Sequence, residues 1–224
     1  MGDLEETTRV ALVDDDALVR MGLRAMLDGV QGIHVVAEAP DGADVPAIVD
    51  AHHPQVVLMD LRMKKIDGIT ATQRLHACGE GPAVIVLTTF DDHDLVVRAI
   101  RAGAVGFLLK HAPPEDIVRA IRSARQGDSV LSPEIARRLI TMVANSASHD
   151  TNRLAARERL QRLSAREIQV AAAVADGKSN AEIAAALTLT VPTVKGYISA
   201  ILSKTASNNR VQLALIVQAA ELSR

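Results

Sequence analysis

Short apolar stretches rich in β-branched residues alternate with amphipathic stretches through the first half of the chain. The pattern predicts strands at Arg9–Val13, His34–Glu38, Val56–Met59, Ala83–Leu87 and Val105–Leu109. Helical spacing, seen in Leu95, Val96, Ala99 and Ile100, predicts helices over Ala17–Leu27, Asp44–Ala51, Gly68–Ala77, Asp92–Ala102 and Glu115–Arg125. Gly29, Gly103 and Gly127 fall where helices should stop. Five βα units in series predict a five-stranded parallel sheet, doubly wound by helices on both faces.

The second half reads differently. Ser132-Pro133-Glu134 opens a short helix with proline in its first turn. Residues 145–152 are small and polar and read as a linker, and Arg153–Arg162 is charged and helical in pattern. The remainder predicts a small all-α bundle. Ser164-Ala165-Arg166-Glu167 and Ser179-Asn180-Ala181-Glu182 are capping boxes. Gly177 ends the first of these helices, and Thr190 caps another with Pro192 in its first turn. Asn180–Ser199 therefore reads helix, short turn, helix, and Val211–Leu222 forms a last apolar helix. The expected division is a domain over 8–127, a linker with helical segments over 128–160, and a helical domain over 161–224.

Composition narrows the class. Of 224 residues 48% are hydrophobic, but there are no Trp, one Tyr and two Phe, so cores must rest on aliphatic side chains. No apolar run approaches the roughly 20 residues of a membrane span. The acidic start Met1–Glu6 is unlike a signal peptide, and Glu6 stands where N-myristoylation wants Ser or Thr. A lone Cys78 excludes an internal disulfide. A cytoplasmic protein without membrane attachment is the expectation. Residues 1–128 carry a net −7 and residues 129–224 a net +5. That split fits an acidic module joined to one that meets a polyanion, or uneven surface charge with no function.

Chemistry gathers at the strand ends. Asp14 and Asp15 follow the first strand, Asp60 ends the third, Thr88 follows the fourth and Lys110 the fifth. Ligands bind at the carboxyl edge of open α/β sheets. Two or three carboxylates suffice for Mg²⁺, which keeps several waters. A carboxylate there can attack a phosphoryl group, a hydroxyl can donate to it, and a lysine can neutralise the developing charge. Singly, an aspartate after a strand is commonly only a helix cap, as expected of Asp16, and a lysine only a solvated loop residue. The combination in register is far harder to reach by chance.

Residues 8–126 resemble the receiver domain of two-component response regulators, a flavodoxin-like fold. The matching strings are Val13-Asp14-Asp15, Met59-Asp60-Leu61-Arg62-Met63, Asp67-Gly68, Leu87-Thr88-Thr89 and Gly106-Phe107-Leu108-Leu109-Lys110. The resemblance implies that Asp60 is the phosphoacceptor. It also implies that Asp14, Asp15, Asp60 and the Arg62 carbonyl hold Mg²⁺, and that Thr88 and Phe107 form a switch pair, with Lys110 on the phosphoryl group. Lys64, followed by Lys65, stands where the family often has proline. Phe90 is bulky, and the expectation is that it slows loss of the phosphoryl group by water.

Residues 163–222 resemble the LuxR-type helix-turn-helix in Leu163-Ser164-Ala165-Arg166-Glu167, Gly177-Lys178-Ser179-Asn180-Ala181-Glu182-Ile183-Ala184 and Thr193-Val194-Lys195. Nearly the whole chain is thus similar to the NarL/FixJ family of response regulators. Thr190, Thr193 and Lys195 are expected at DNA phosphate or base edges, from the N-terminal turn of the recognition helix. Val194, Tyr197 and Ser199 share that helix. Lys178, Lys204 and Arg210 are expected backbone contacts, beside Ser179 and Asn180. Gly196 removes a side chain from the groove-facing helix, and Thr205-Ala206-Ser207 replaces a more apolar stretch. Leu213, Ile216, Val217 and Ala220 are expected to form a homodimer contact, or to cover the bundle.

The function expected is a non-enzymatic transcriptional regulator, phosphorylated on Asp60 with Mg²⁺ by a cognate sensor histidine kinase or small phosphodonor, and acting as a dimer on double-stranded DNA. Two rivals share parts of the pattern. An aspartyl-phosphate hydrolase would want a second acid two residues past the nucleophile, where Arg62 stands. A regulator whose output is protein interaction would fit the thin base-reading surface.

Overall fold

The computed structural model describes residues 7–77, 81–88, 93–128, 130–131 and 149–221. The chain divides into two compact units at Gln126/Gly127. In the first unit the elements run β1 (Thr8–Val13), α1 (Ala17–Leu27), β2 (Ile33–Ala39), α2 (Val45–His52), β3 (Val56–Asp60), α3 (Gly68–Ala77), β4 (Ala83–Thr88), α4 (His93–Ala102), β5 (Gly106–Leu109) and α5 (Pro114–Arg125). The five strands lie in the order β2-β1-β3-β4-β5, and every pair is parallel.

The central strands are apolar throughout because both faces are covered. All five residues of β3 are buried. Along β1 the side chains alternate: Ala11 and Val13 join Val57, Met59, Val84, Ala71 and Leu75 in one core layer, while Val10 and Leu12, also fully buried, face the opposite side. Phe107 on β5 is fully buried and is the largest such side chain. Asp16 caps α1 by accepting from the Leu18 amide at 2.8 Å. The start expected for the second helix differs slightly. A 3₁₀ turn, Gly42–Asp44, precedes α2, and the cap belongs to Asp41, since Asp44 makes no side-chain cap bond.

The second unit holds a two-residue strand, β6 (Val130–Leu131), and the helices α6 (His149–Leu160), α7 (Ala165–Ala175), α8 (Asn180–Leu187), α9 (Val191–Thr205) and α10 (Arg210–Glu221). Residues 149–152, expected as linker, are the first turn of α6. Further along α6, Ala156 is buried and Leu160 packs on the bundle core, so tertiary packing prevails over a locally polar sequence. The helix expected at Ser132-Pro133-Glu134, the linker residues 145–148, Cys78, Phe90 and Leu222 lie outside the described residues.

Both capping boxes form, at Ser164/Glu167 and Ser179/Glu182, and Thr190 Oγ1 accepts from the Thr193 amide at 3.3 Å. The core of the unit is Val170, Val174, Ile183, Val194, Ile198, Ile201, Leu213 and Val217. Nothing lies within 4 Å of the Cβ that an alanine at Gly196 would carry. That glycine therefore loosens α9 without answering a packing need.

Candidate phosphoryl and nucleic-acid sites

The strand order changes direction between β1 and β3, the point where open α/β sheets bind ligands. Val13 pairs with Met59, so Asp14 emerges level with Asp60. Asp60 pairs with Leu87 and Thr88 with Leu109, which brings Thr88 and Lys110 to the same edge. The Lys110 amide donates to the Thr88 carbonyl at 2.9 Å. Register alone thus assembles four functional positions from four strands.

Ligand atoms of Asp14, Asp15 and Asp60 lie within 4.8 Å of one another. Lys110 Nζ sits 2.7 Å from Asp14 Oδ2 and 3.0 Å from Asp60 Oδ2. Asp14 Oδ1 accepts the Asp16 amide at 2.9 Å. Asp14 Oδ2 is buried and, the Lys110 ammonium aside, receives no donor among the described residues. Burial pushes the Asp60 carboxyl above its ordinary value; Lys110 pulls it back, and the nearby Asp14 charge adds to the rise. For Lys110, burial favours the neutral amine, but Asp14 and Asp60 together outweigh it and hold the pKa above the ordinary value. Lys64, largely exposed, reaches 3.9 Å from Asp15 Oδ2.

Gly68 closes the loop after Asp60. Its amide donates to the Leu61 carbonyl at 3.1 Å, and a Cβ there would stand 2.0 Å from the Asp60 carbonyl oxygen. Only glycine permits that approach.

In the second unit α8 and α9 bend by 105° across their turn, inside the roughly 90–120° of helix-turn-helix motifs. The Arg166 guanidinium donates to the Leu187 carbonyl at the end of α8. The N-terminal turn of α9 presents Thr190, Thr193 and Lys195 to solvent, and Ser199 follows two turns on.

The sequence of residues 10–122 matches the response regulator receiver domain family, and residues 161–217 match the luxR family of bacterial regulatory proteins. The chain is a response regulator of the NarL/FixJ family. It is 37% identical over 207 residues to the transcriptional regulatory protein LiaR of Bacillus subtilis, covering 92% of this chain and 95% of that one. Identity to the response regulator VraR of Staphylococcus aureus is 36% over 209 residues, covering 92% and 94%. Among solved structures it is similar to the response regulator ChrA of a heme-sensing two-component system, with TM-score 0.53, 35% identity, and 97% and 99% of the two chains covered. This response regulator is accordingly a transcriptional regulator with a receiver and a LuxR-type DNA-binding domain, in a family of DNA-binding proteins rather than enzymes.

Several residues expected at DNA or in a dimer contact have partners within the unit. Val194 is fully buried, because it holds α9 to the bundle. Asn180 is 2% exposed, and its Oδ1 accepts from Arg210 at 3.2 Å. Arg210 is itself buried, paired with Asp128 Oδ1 at 2.7 Å and donating to the Lys178 carbonyl. Lys204 Nζ binds both Glu167 oxygens, at 2.7 and 2.8 Å. Leu213 and Val217 belong to the core, while Ile216 and Ala220 are half-buried. The ring of Tyr197 packs in part against the same core. Ser179 Oγ is engaged with Glu182 at 2.8 Å, and Lys178 Nζ lies 3.4 Å from Asp176.

Sequence reading missed Asp128 and Glu167 as partners of these cations, since a contact many residues away leaves no local signature. Thr205-Ala206-Ser207, in place of a more apolar stretch, is packed all the same. Thr205 is fully buried. Its hydroxyl donates to the Ile201 carbonyl at 2.8 Å and lies 2.9 Å from Ser207 Oγ, while Ala206 takes the left-handed cap at φ 51°.

The Glu167 cluster predicts a pH dependence. Lys204, then the Ser164 amide and hydroxyl, hold the Glu167 carboxyl at about 2 against an ordinary 4.5. A depressed carboxylate stabilises the fold above its unfolded value and loses that contribution as pH falls toward its folded value. The difference in melting temperature between wild type and E167Q should therefore close as pH falls from 4.5 toward 2. A difference that stays constant through that window would overturn the assignment.

Proposed function

We propose that a cognate sensor histidine kinase or a small phosphodonor phosphorylates Asp60, and that the phosphoryl group governs promoter binding by the LuxR-type end. The reading is carried by one observation: three carboxylates within 4.8 Å of one another, two of them within 3.0 Å of Lys110 Nζ, at the sheet's switch point. The donor set is hard oxygen only and includes a buried Asp14 Oδ2 whose one donor among the described residues is the Lys110 ammonium, which fits Mg²⁺. Asp14, Asp15, Asp60 and the Arg62 carbonyl would hold it. When bound, Mg²⁺ supplies charge neutralisation between the acceptor and an incoming phosphate.

An Asp60 carboxylate oxygen attacks phosphorus, a new P–O bond forms, and the bond to the donor breaks with its electron pair leaving on the donor. Lys110 stabilises the charge on the transferred group. Thr88 donates to it, and Thr88 with Phe107 on β5 forms the switch pair that reports it. On DNA, Thr190, Thr193 and Lys195 meet phosphate or base edges, with Ser199 and part of Tyr197 alongside. A homodimer through α10, using the half-buried Ile216 and Ala220, doubles the footprint. No single described helix is long and apolar enough to cross a membrane, and a cytoplasmic site of action fits that.

The test is duplex-DNA affinity across a salt series, with and without phosphodonor. Phosphorylation should change the affinity, and K195A should reduce the log–log salt slope by about one per bound protomer. Equal affinity for fully labelled and unlabelled protein would overturn the switch.

A further inference from the structure

Asp41 is a buried acid that phosphoryl transfer does not itself use. It is 5% exposed, and it sits in the turn between β2 and α2. Its Oδ1 accepts from the amides of Ala43 and Ile66, each at 3.0 Å. Its Oδ2 accepts from the Lys65 amide at 2.8 Å. Two of the three donors belong to the loop that follows the phosphoacceptor. The neighbouring Gly42 adds a backbone bond, its amide to the Ile66 carbonyl at 3.2 Å. A Cβ on Gly42 would stand 2.5 Å from that oxygen.

The loop of residues 61–67 is therefore held at two places. Gly68 closes its base against Leu61 and Asp60, and Asp41 grips its far end at Lys65 and Ile66. Between the grips lie Arg62, whose amide lowers the Asp60 carboxyl, and Lys64, which reaches toward Asp15. The side chain of Lys64 is 83% exposed, and Asp15 at 3.9 Å is its one ion-pair partner among the described residues. The main chain must be fixed from below.

We propose that Asp41 is a positioning residue for the phosphoryl site, setting through the Lys65 and Ile66 amides where the Arg62 carbonyl stands and so how tightly the site takes Mg²⁺. This rests on the Mg²⁺-dependent phosphorylation of Asp60 given above. The amides of Ala43, then Lys65, hold the Asp41 carboxyl below its ordinary value against the effect of burial, which agrees with an ionised carboxylate at the grip.

D41N separates the two oxygens. The asparagine carbonyl retains the Ala43 and Ile66 bonds, while its NH₂ faces the Lys65 amide as donor against donor. D41A removes all three bonds. Three quantities are measured on the full chain: Mg²⁺ affinity by calorimetric titration, amide exchange at Lys65 and Ile66 without metal, and labelling by a small phosphodonor as a function of Mg²⁺. In D41N, Mg²⁺ binding should weaken about tenfold, and exchange should quicken at Lys65 more than at Ile66. Labelling should fall at low Mg²⁺ and recover to within about twofold of wild type at saturation. D41A, where it folds, should quicken exchange at both amides.

A D41N protein that melts lower but binds Mg²⁺ as wild type does, with an unchanged Mg²⁺ dependence of labelling, would reduce Asp41 to a structural cap and overturn the proposal. A wild-type chain that takes up no Mg²⁺ would instead overturn the phosphorylation reading, and this inference with it. D60N distinguishes the cases, since it removes labelling while leaving the Asp41 grip and its amide exchange intact.

Discussion

A D60N chain is expected to take up no phosphoryl group, from a kinase or from a small phosphodonor. The carboxamide has no anionic oxygen to attack phosphorus, and its nitrogen cannot form the acyl phosphate. The fold should survive. Asp60 is buried beside Asp14, and that burial with the neighbouring charge raises its carboxyl, so a neutral amide relieves repulsion. Lys110 retains Asp14 at 2.7 Å as its counter-charge. Intact-mass measurement after exposure to phosphodonor and Mg²⁺ reads the uptake directly, and calorimetry reads the fold. A D60N protein labelled to the wild-type level would move the acceptor elsewhere. A D60N protein that melts much below wild type would mean that the Asp60–Lys110 pair stabilises the sheet edge more than it strains it.

The second large effect is on stability. R210A should lower the stability of the helical unit by about 3 kcal/mol, the scale for breaking a buried ion pair from one side. Arg210 is only 8% exposed, and its guanidinium joins three chain segments. It pairs with the Asp128 carboxylate, donates to Asn180 Oδ1, and donates to the Lys178 carbonyl. Asp128 in turn accepts the Asn180 amide at 3.0 Å, at the first turn of α8. Alanine removes the cation facing the Asp128 carboxylate and the guanidinium donor to Asn180 Oδ1 and the Lys178 carbonyl. R210K keeps one charge but not the planar fork, and should recover only part of the loss. Thermal unfolding checks both variants. The contrary result is informative too: an unchanged melting temperature with a salt slope smaller by about one would return Arg210 to the DNA backbone.

The receiver half was legible because its determinants are local and periodic. Apolar runs mark β1, β3 and β4, each bounded by its helix, and register then carries Asp14, Asp60, Thr88 and Lys110 to one edge. The helical half was legible in its caps, since Ser164, Ser179 and Thr190 act within their own turns. It was silent on partners far away in the sequence. Lys204 and Arg210 look like phosphate contacts in a basic segment. Their carboxylates, Glu167 and Asp128, lie 37 and 82 residues away. Val194 is buried for a local reason. Its place within Thr193-Val194-Lys195 suggested the groove, but it stands four residues before Ile198 and seven before Ile201, the spacing of α9's buried stripe. Polar residues 149–152 read as linker because α6 gains its helix from the bundle further along, not from its own first turn.

The scarcity of aromatic residues has an optical consequence. The chain has no tryptophan and one tyrosine, and Tyr197 lies on α9 with its ring half-covered by the bundle core. Tyrosine emission from this regulator therefore arises wholly within the DNA-binding unit. Events at Asp60 are silent in that channel unless they reach α9, and a duplex docked over Lys195 as proposed would act on the adjacent ring. The native protein thus carries an unlabelled reporter of its output end, and a phosphodonor titration followed by tyrosine fluorescence reads transmission along the chain without any added dye.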